Sequence, residues 1–233
     1  TTIEGGNVPE QEIEQAKSDL DERTFNQEYN AAFATYAGLI YYGFSREESV
    51  LDMGDDSGTL HIGMDFNLDP MSAVICIRKG EKLYAVDEIV MYGSNTDEMV
   101  AEIINRYPRR SIIIYPDPAS RQRKTSAGGR TDLSILQNAG FSVKAKNSHA
   151  LVRDRINAVN SRLLSGDGQR HLFVSPKCKQ TIKSLERQTY KEGTSIPNKE
   201  DGFDHMNDAL GYLVEYLFPV RTEYDTPQPT RWT

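Results

Sequence analysis

The sequence predicts an α/β domain, a mixed sheet flanked by helices, and three observations predict it. Three apolar, strand-like runs follow one another between Leu60 and Met91. Helical and strand-like segments then alternate from Ser94 to Val174, and an amphipathic helix closes the pattern at Leu217. Runs of strands followed by alternation of this kind build a sheet that is antiparallel on one side and parallel on the other.

Leu60–Met64, Ala73–Arg78 and Leu83–Met91 read as sequential antiparallel strands, the last two joined across Lys79-Gly80-Glu81-Lys82 as a hairpin. Ser94 with Asp97 three residues on resembles a capping box, and Met99, Val100, Ile103, Ile104 and Tyr107 recur at helical spacing before Pro108. Ile112–Tyr115 is a short β-branched run, hence a buried strand, and it delivers Asp117 just past its end. Residues 119–130 hold Ser, Gly, Arg and Lys without an apolar anchor and are expected to be a mobile loop. Further along, residues 132–139 predict a helix stopped by Gly140, 141–145 a strand, 151–164 a helix, 171–174 a strand and 177–188 a helix. Residues 189–202 are a polar connection, either a plain hairpin or a gate, and 203–217 form the last helix. Beyond Pro219 the polar tail to Thr233 is expected to be disordered. The order of elements over residues 60–218 is that of a ribonuclease H-like domain.

Residues 1–59 read as an acidic arm and linker. Phe25, Tyr29, Phe33 and Tyr36 share one helical face that docks either on this chain's core or on a neighbouring domain. The formal charge of −7 would discourage a nucleic-acid partner, but ten acids against three bases in residues 1–50 account for all of it. Residues 106–187 hold seventeen Lys or Arg against five acids, enough to attract a phosphate backbone. Cys76 and Cys178 fall inside core elements and predict buried thiols without a disulfide, as in an intracellular protein. No apolar run approaches the ~18 residues that span a bilayer, so a soluble, cytosolic protein without a membrane partner is expected.

Asp65, Asp117 and Asp204 sit where core elements run out into polar residues. A lone carboxylate there is commonly a turn former or a helix cap. Asp65, however, shares its sheet face with His61 and Gly63 while Leu60, Ile62 and Met64 point to the other, and Asp117 leaves the neighbouring strand. Asp204 and Asp208 share a helix face with Gly211, opposite the apolar Met206, Leu210, Leu213 and Leu217. Converging carboxylates suit Mg²⁺ or Mn²⁺, and a pair of such ions stabilises both the attacking and the leaving oxygen when a phosphodiester is cut. Asn67, Asp69 and His205 are weaker candidates, for turn, orienting or plain structural roles. Arg121, Arg123, Lys124, Arg130, Lys144, Lys146, Arg153 and Arg155 are the expected phosphate contacts, positioning double-stranded DNA without reading its sequence.

Gly-Met-Asp-Phe-Asn at residues 63–67, Tyr-Pro-Asp-Pro at 115–118 and Asp-His-Met-Asn-Asp-Ala-Leu-Gly-Tyr at 204–212 resemble the large terminase subunit of tailed bacteriophages. The resemblance covers residues 60–217 and implies the nuclease half of that protein, which cuts concatemeric viral DNA at the start and end of packaging. It implies a catalytic triad of Asp65, Asp117 and Asp204 with Asp208 as a fourth metal ligand, and two Mg²⁺ or Mn²⁺ ions. It also implies action in the host cell cytoplasm with the packaging ATPase domain, the viral portal and the small terminase subunit as partners. Residues 1–59 would then be the connection between ATPase and nuclease. No Gly-x-x-x-x-Gly-Lys-Ser/Thr phosphate loop occurs, so ATP hydrolysis is not expected of this fragment. Two rival readings are a resolvase or transposase of the same fold, and a non-catalytic DNA-binding or docking module of the motor.

Overall fold

The computed structural model describes residues 8–30, 38–54, 57–67, 69–121, 130–146 and 150–220. Six strands form one sheet in the order β5-β4-β1-β2-β3-β6, from β1 (Leu60–Asp65), β2 (Met71–Lys79), β3 (Lys82–Met91), β4 (Ile112–Pro116), β5 (Ser142–Val143) and β6 (Leu172–Val174). The pairs β1·β2 and β2·β3 are antiparallel, and β1·β4, β4·β5 and β3·β6 are parallel, giving the mixed sheet expected. The tight β2–β3 turn is closed by Gly80, whose φ of 60° lies in the left-handed region that favours glycine.

Alternation along the strands divides the core between the two faces of the sheet. Leu60, Ile62, Met64, Ala73 and Ile75 pack against Met99 and Ile103 of α4 (Thr96–Arg106) and Leu136 of α5 (Asp132–Asn138). Val74 and Cys76 face the other way, onto Val159 and Leu163 of α6 (Val152–Leu163), Ile182 and Leu185 of α7 (Lys179–Arg187), and Ala209, Leu210 and Leu213 of α8 (Asp204–Leu217). Both cysteines are buried and free, and burial raises both thiol pKa values.

Helix α8 lies on β1 at Gly63, where a Cβ would stand 2.0 Å from the carbonyl oxygen of Ala209 and 3.0 Å from Cβ of Leu213. Only a residue without a side chain admits this approach. It seats the first turn of α8 beside the carboxyl end of β1.

Three details differ from the sequence reading. Helix α4 is capped one residue later than expected: Asn95 accepts from the Glu98 amide at 3.0 Å and Glu98 accepts in return from the Asn95 amide at 3.2 Å. The strand expected over 141–145 shrinks to the two residues of β5: Ser142 and Val143 stand in register with β4, and the ladder ends where the Lys144 amide donates to Ile114 at 2.8 Å. The boundary drawn at residue 60 also does not separate an arm from a domain. Ile40 and Tyr41 are core residues, Leu51 donates its amide to Val174 at 3.1 Å, and Val50 pairs with Val174, so residues 38–51 strap the β6 edge.

Of the aromatic face in the amino-terminal segment, Phe25 on α2 (Glu22–Tyr29) is buried, stacks on Tyr29 and abuts Gly166, so this part docks on the chain's own body. Phe33, Tyr36, residues 122–129 of the basic loop and the tail from 221 lie outside the described residues.

A Gly63→Ala substitution should cost about 3 kcal/mol by forcing α8 off β1. Thermal unfolding would register it as a fall of about 10 °C in Tm.

Candidate metal centre

Parallel pairing of β1 with β4 brings two of the acids together. Met64 stands opposite Pro116, and the amide of Asp117 donates to the Met64 carbonyl at 3.0 Å, so Asp65 and Asp117 leave adjacent strands at the same end. Asp117 is half-buried and accepts the Ala119 amide at 2.9 Å, at the start of the 3₁₀ turn Pro118–Arg121. Asp65 is buried, and burial raises its pKa even though His205 and Asn67 both favour the carboxylate.

Asp204 is the first residue of α8 and not its cap, since Phe203 holds the cap position without a side-chain bond. Asp204 is 3% exposed, and among the described residues its Oδ1 has no hydrogen-bond partner. Its other oxygen, Oδ2, lies 3.1 Å from the Lys199 ammonium. Asp208, one turn on, is also compensated: Oδ1 meets Arg155 at 2.5 Å and Oδ2 meets Lys199 at 3.2 Å. Burial would lower the Arg155 and Lys199 pKa values, but neighbouring carboxylates, Asp208 foremost, hold both above their ordinary ranges.

His205 joins the two sides. Nδ1 is 3.3 Å from Asp65 Oδ2 and 2.9 Å from the Asn67 amide nitrogen, while Nε2 is 3.9 Å from Asp204 Oδ1. The hydrogen bond to Asp65, helped by the charge of Asp204, raises the imidazole pKa despite partial burial. Asn67 also donates to Asp65 Oδ2 at 2.8 Å. Sequence reading thus undervalued Asn67 and His205 and missed Lys199 altogether. The only signal for the lysine is its place five residues before Asp204, on a connection whose path is not written in local pattern.

Among the described residues, no three His, Cys, Asp or Glu side chains are arranged to hold one ion as they stand. The donor set nevertheless fits a hard divalent cation. It is made of carboxylate oxygens, one of them buried and, among the described residues, without a donor, with Lys199 and His205 beside them. Asp208 would bring to such a site a carboxylate already paired with Arg155 and Lys199.

The basic residues divide. Lys144 and Arg153 are exposed, the latter beside Asp154 at 3.4 Å. Lys146 pairs with Glu215, and Arg121 donates to the carbonyls of Ala145 at 3.0 Å and Lys146 at 3.3 Å. Arg130 pairs with Asp97 at 3.1 Å, and Arg123 and Lys124 lie outside the described residues. Arg155 corrects the expectation that it faces DNA: it is buried, with its stem over Gly211 and its guanidinium 4.6 Å from the centre of the Tyr212 ring. A Cβ at Gly211 would stand 2.7 Å from Arg155 Cγ, so this second glycine opens the passage by which Arg155 reaches Asp208.

Because the Arg155–Asp208 pair is largely buried, Arg155→Met should destabilise the fold by about 3 kcal/mol by leaving a carboxylate short of its partner. The double variant Arg155→Met/Asp208→Asn should lose less than the sum of the singles in urea unfolding.

The family model described as the terminase RNaseH-like domain matches residues 62–217. Comparison with curated proteins yields no match. Among solved structures, the large terminase of a thermophilic bacteriophage in complex with ATP-γ-S is similar with a TM-score of 0.71 at 18% identity over 92% of this chain. The chain spans about half of that protein, 54% of its length. The P22 large terminase nuclease domain gives a TM-score of 0.58 at 14% identity, covering 80% of this chain and 97% of that one. The large terminase nuclease of the thermophilic phage G20c, with bound cobalt, gives 0.54 at 12% identity, covering 78% and 98%. The chain belongs to the terminase ribonuclease H-like domain family and has the fold of phage large terminase nuclease domains.

Proposed function

We propose that this domain is a divalent-metal-dependent DNA endonuclease of a viral genome-packaging motor, cutting concatemeric double-stranded DNA with little sequence preference. One observation carries the reading: two adjacent parallel strands end on Asp65 and Asp117, and the helix lying on the first of them opens on a buried Asp204 with an oxygen that lacks a donor. The cobalt bound by the G20c nuclease domain supports a divalent ion at an acid site of this fold.

In this reading Asp65, Asp117 and Asp204 hold Mg²⁺ or Mn²⁺, two ions when the site is full. Bound ions supply an acidified water and charge neutralisation at the leaving oxygen. The remaining work belongs to the chain. His205 and Asn67 orient the Asp65 carboxylate, and the packing of α8 on Gly63 fixes the spacing of Asp204 from the strand ends. Lys144 and Arg153, together with Arg123 and Lys124 of the basic loop, meet phosphates, while Arg121, Arg130 and Lys146 are shared between protein partners and DNA. The acidic amino-terminal segment connects to the packaging ATPase domain, and portal and small terminase subunit complete the assembly in the host cytoplasm.

Supercoiled plasmid should be nicked and linearised in Mn²⁺, and Asp65→Ala or Asp204→Asn should lower the rate by about a hundredfold or more. Wild-type cutting by either variant would remove the assignment. With about four phosphate contacts, DNA affinity should fall about a hundredfold between 50 and 200 mM salt in a filter-binding or anisotropy titration.

A further inference from the structure

The connection between α7 and α8 is a small hairpin. Tyr190 and Pro197 form an antiparallel bridge, the Lys191 amide donates to Ile196 at 2.8 Å, and the Asn198 amide donates to Thr189 at 2.8 Å. Its base is tied to the body, with Ile40 donating its amide to Gln188 at 2.9 Å and Tyr190 donating to Gly38 at 3.3 Å. Its outer part is open to solvent, Ile196 being 59% exposed. Past the turn, Lys199 reaches back to α8, and its ammonium lies between Asp204 Oδ2 at 3.1 Å and Asp208 Oδ2 at 3.2 Å.

That position is unusual for a solvent-facing lysine. One partner, Asp204, is almost fully buried, and among the described residues its remaining oxygen has no hydrogen-bond donor, His205 Nε2 standing 3.9 Å away. The other, Asp208, is already committed to Arg155 through its first oxygen. A divalent ion taken up by Asp204 would stand a few ångströms from the ammonium, and like charges that close in a partly buried site repel strongly. The Lys199 side chain is exposed, so its ammonium can turn out into water, whereas that of Arg155 is buried.

We propose that Lys199 is a resident counter-cation of the acid cluster, displaced when a divalent ion binds Asp204, so that ion loading and the ion pairs of Lys199 with α8 exclude one another. This role for Lys199 rests on the metal-binding reading of the acids given above.

The test uses the full chain with Mn²⁺ alone and no DNA. Lys199→Met should bind Mn²⁺ about tenfold more tightly than wild type in calorimetry, and Lys199→Arg, which keeps the charge, should not. Equal Mn²⁺ affinity of Lys199→Met and wild type overturns the proposal. If Asp65→Ala abolishes Mn²⁺ binding while Lys199→Met leaves it unchanged, the counter-cation role alone falls. If wild type takes up no more Mn²⁺ than Asp65→Ala, the metal reading falls and takes this role with it.

Discussion

The van der Waals contact between Gly63 on β1 and the Ala209 carbonyl on α8 is the constraint on which the rest of the site depends. A helix normally rides on a sheet at a distance set by side chains on both surfaces. Here one of those side chains is missing, and α8 settles onto the central strand itself. The consequence reaches both ends of the helix. Its apolar face, Leu210 and Leu213 among it, enters the core below, and its first turn brings Asp204 to the level where β1 and β4 release Asp65 and Asp117. Packing thus sets the geometry of charges that would otherwise push one another apart.

Those charges are balanced pair by pair, and the balance differs from one acid to the next. Asp208 is held by Arg155, whose stem crosses the helix at Gly211, an inner pairing that solvent hardly screens. Asp65 is held by groups from its own loop and from α8, Asn67 and His205. Asp204 leans on an exposed lysine, and among the described residues one of its oxygens has no donor. A buried carboxylate short of partners is costly, and functional sites are where such costs are tolerated.

Much of this was legible in the sequence, and the reason is periodicity. Leu60, Ile62 and Met64 alternate with His61, Gly63 and Asp65, so the face on which Asp65 lies follows from a count of two, and the apolar stripe of the last helix follows from a count of 3.6. The strand-end positions of Asp65 and Asp117 therefore came out of local pattern alone. What stayed hidden depended on long-range contacts. Arg155 looked like one more cation of a basic stretch, because nothing nearby in sequence announces that Gly211, more than fifty residues on, leaves room for its stem. Lys199 was passed over for the same reason. Ile40 and Tyr41 were assigned to an arm because the segment around them is acidic, although the two residues themselves are apolar enough to enter a core.

The strap formed by residues 38–51 bears on how this domain can be handled as an isolated unit. Strand β6 is an outer strand, and the backbone of Val50 and Leu51 covers its rim beside Val174. Cutting the polypeptide at the start of β1 would uncover that rim and empty the seats of Ile40 and Tyr41 together. Bare strand rims recruit other chains. A shortened version beginning at β1 is therefore apt to self-associate, whereas one that retains Gly38 onward carries its own cover.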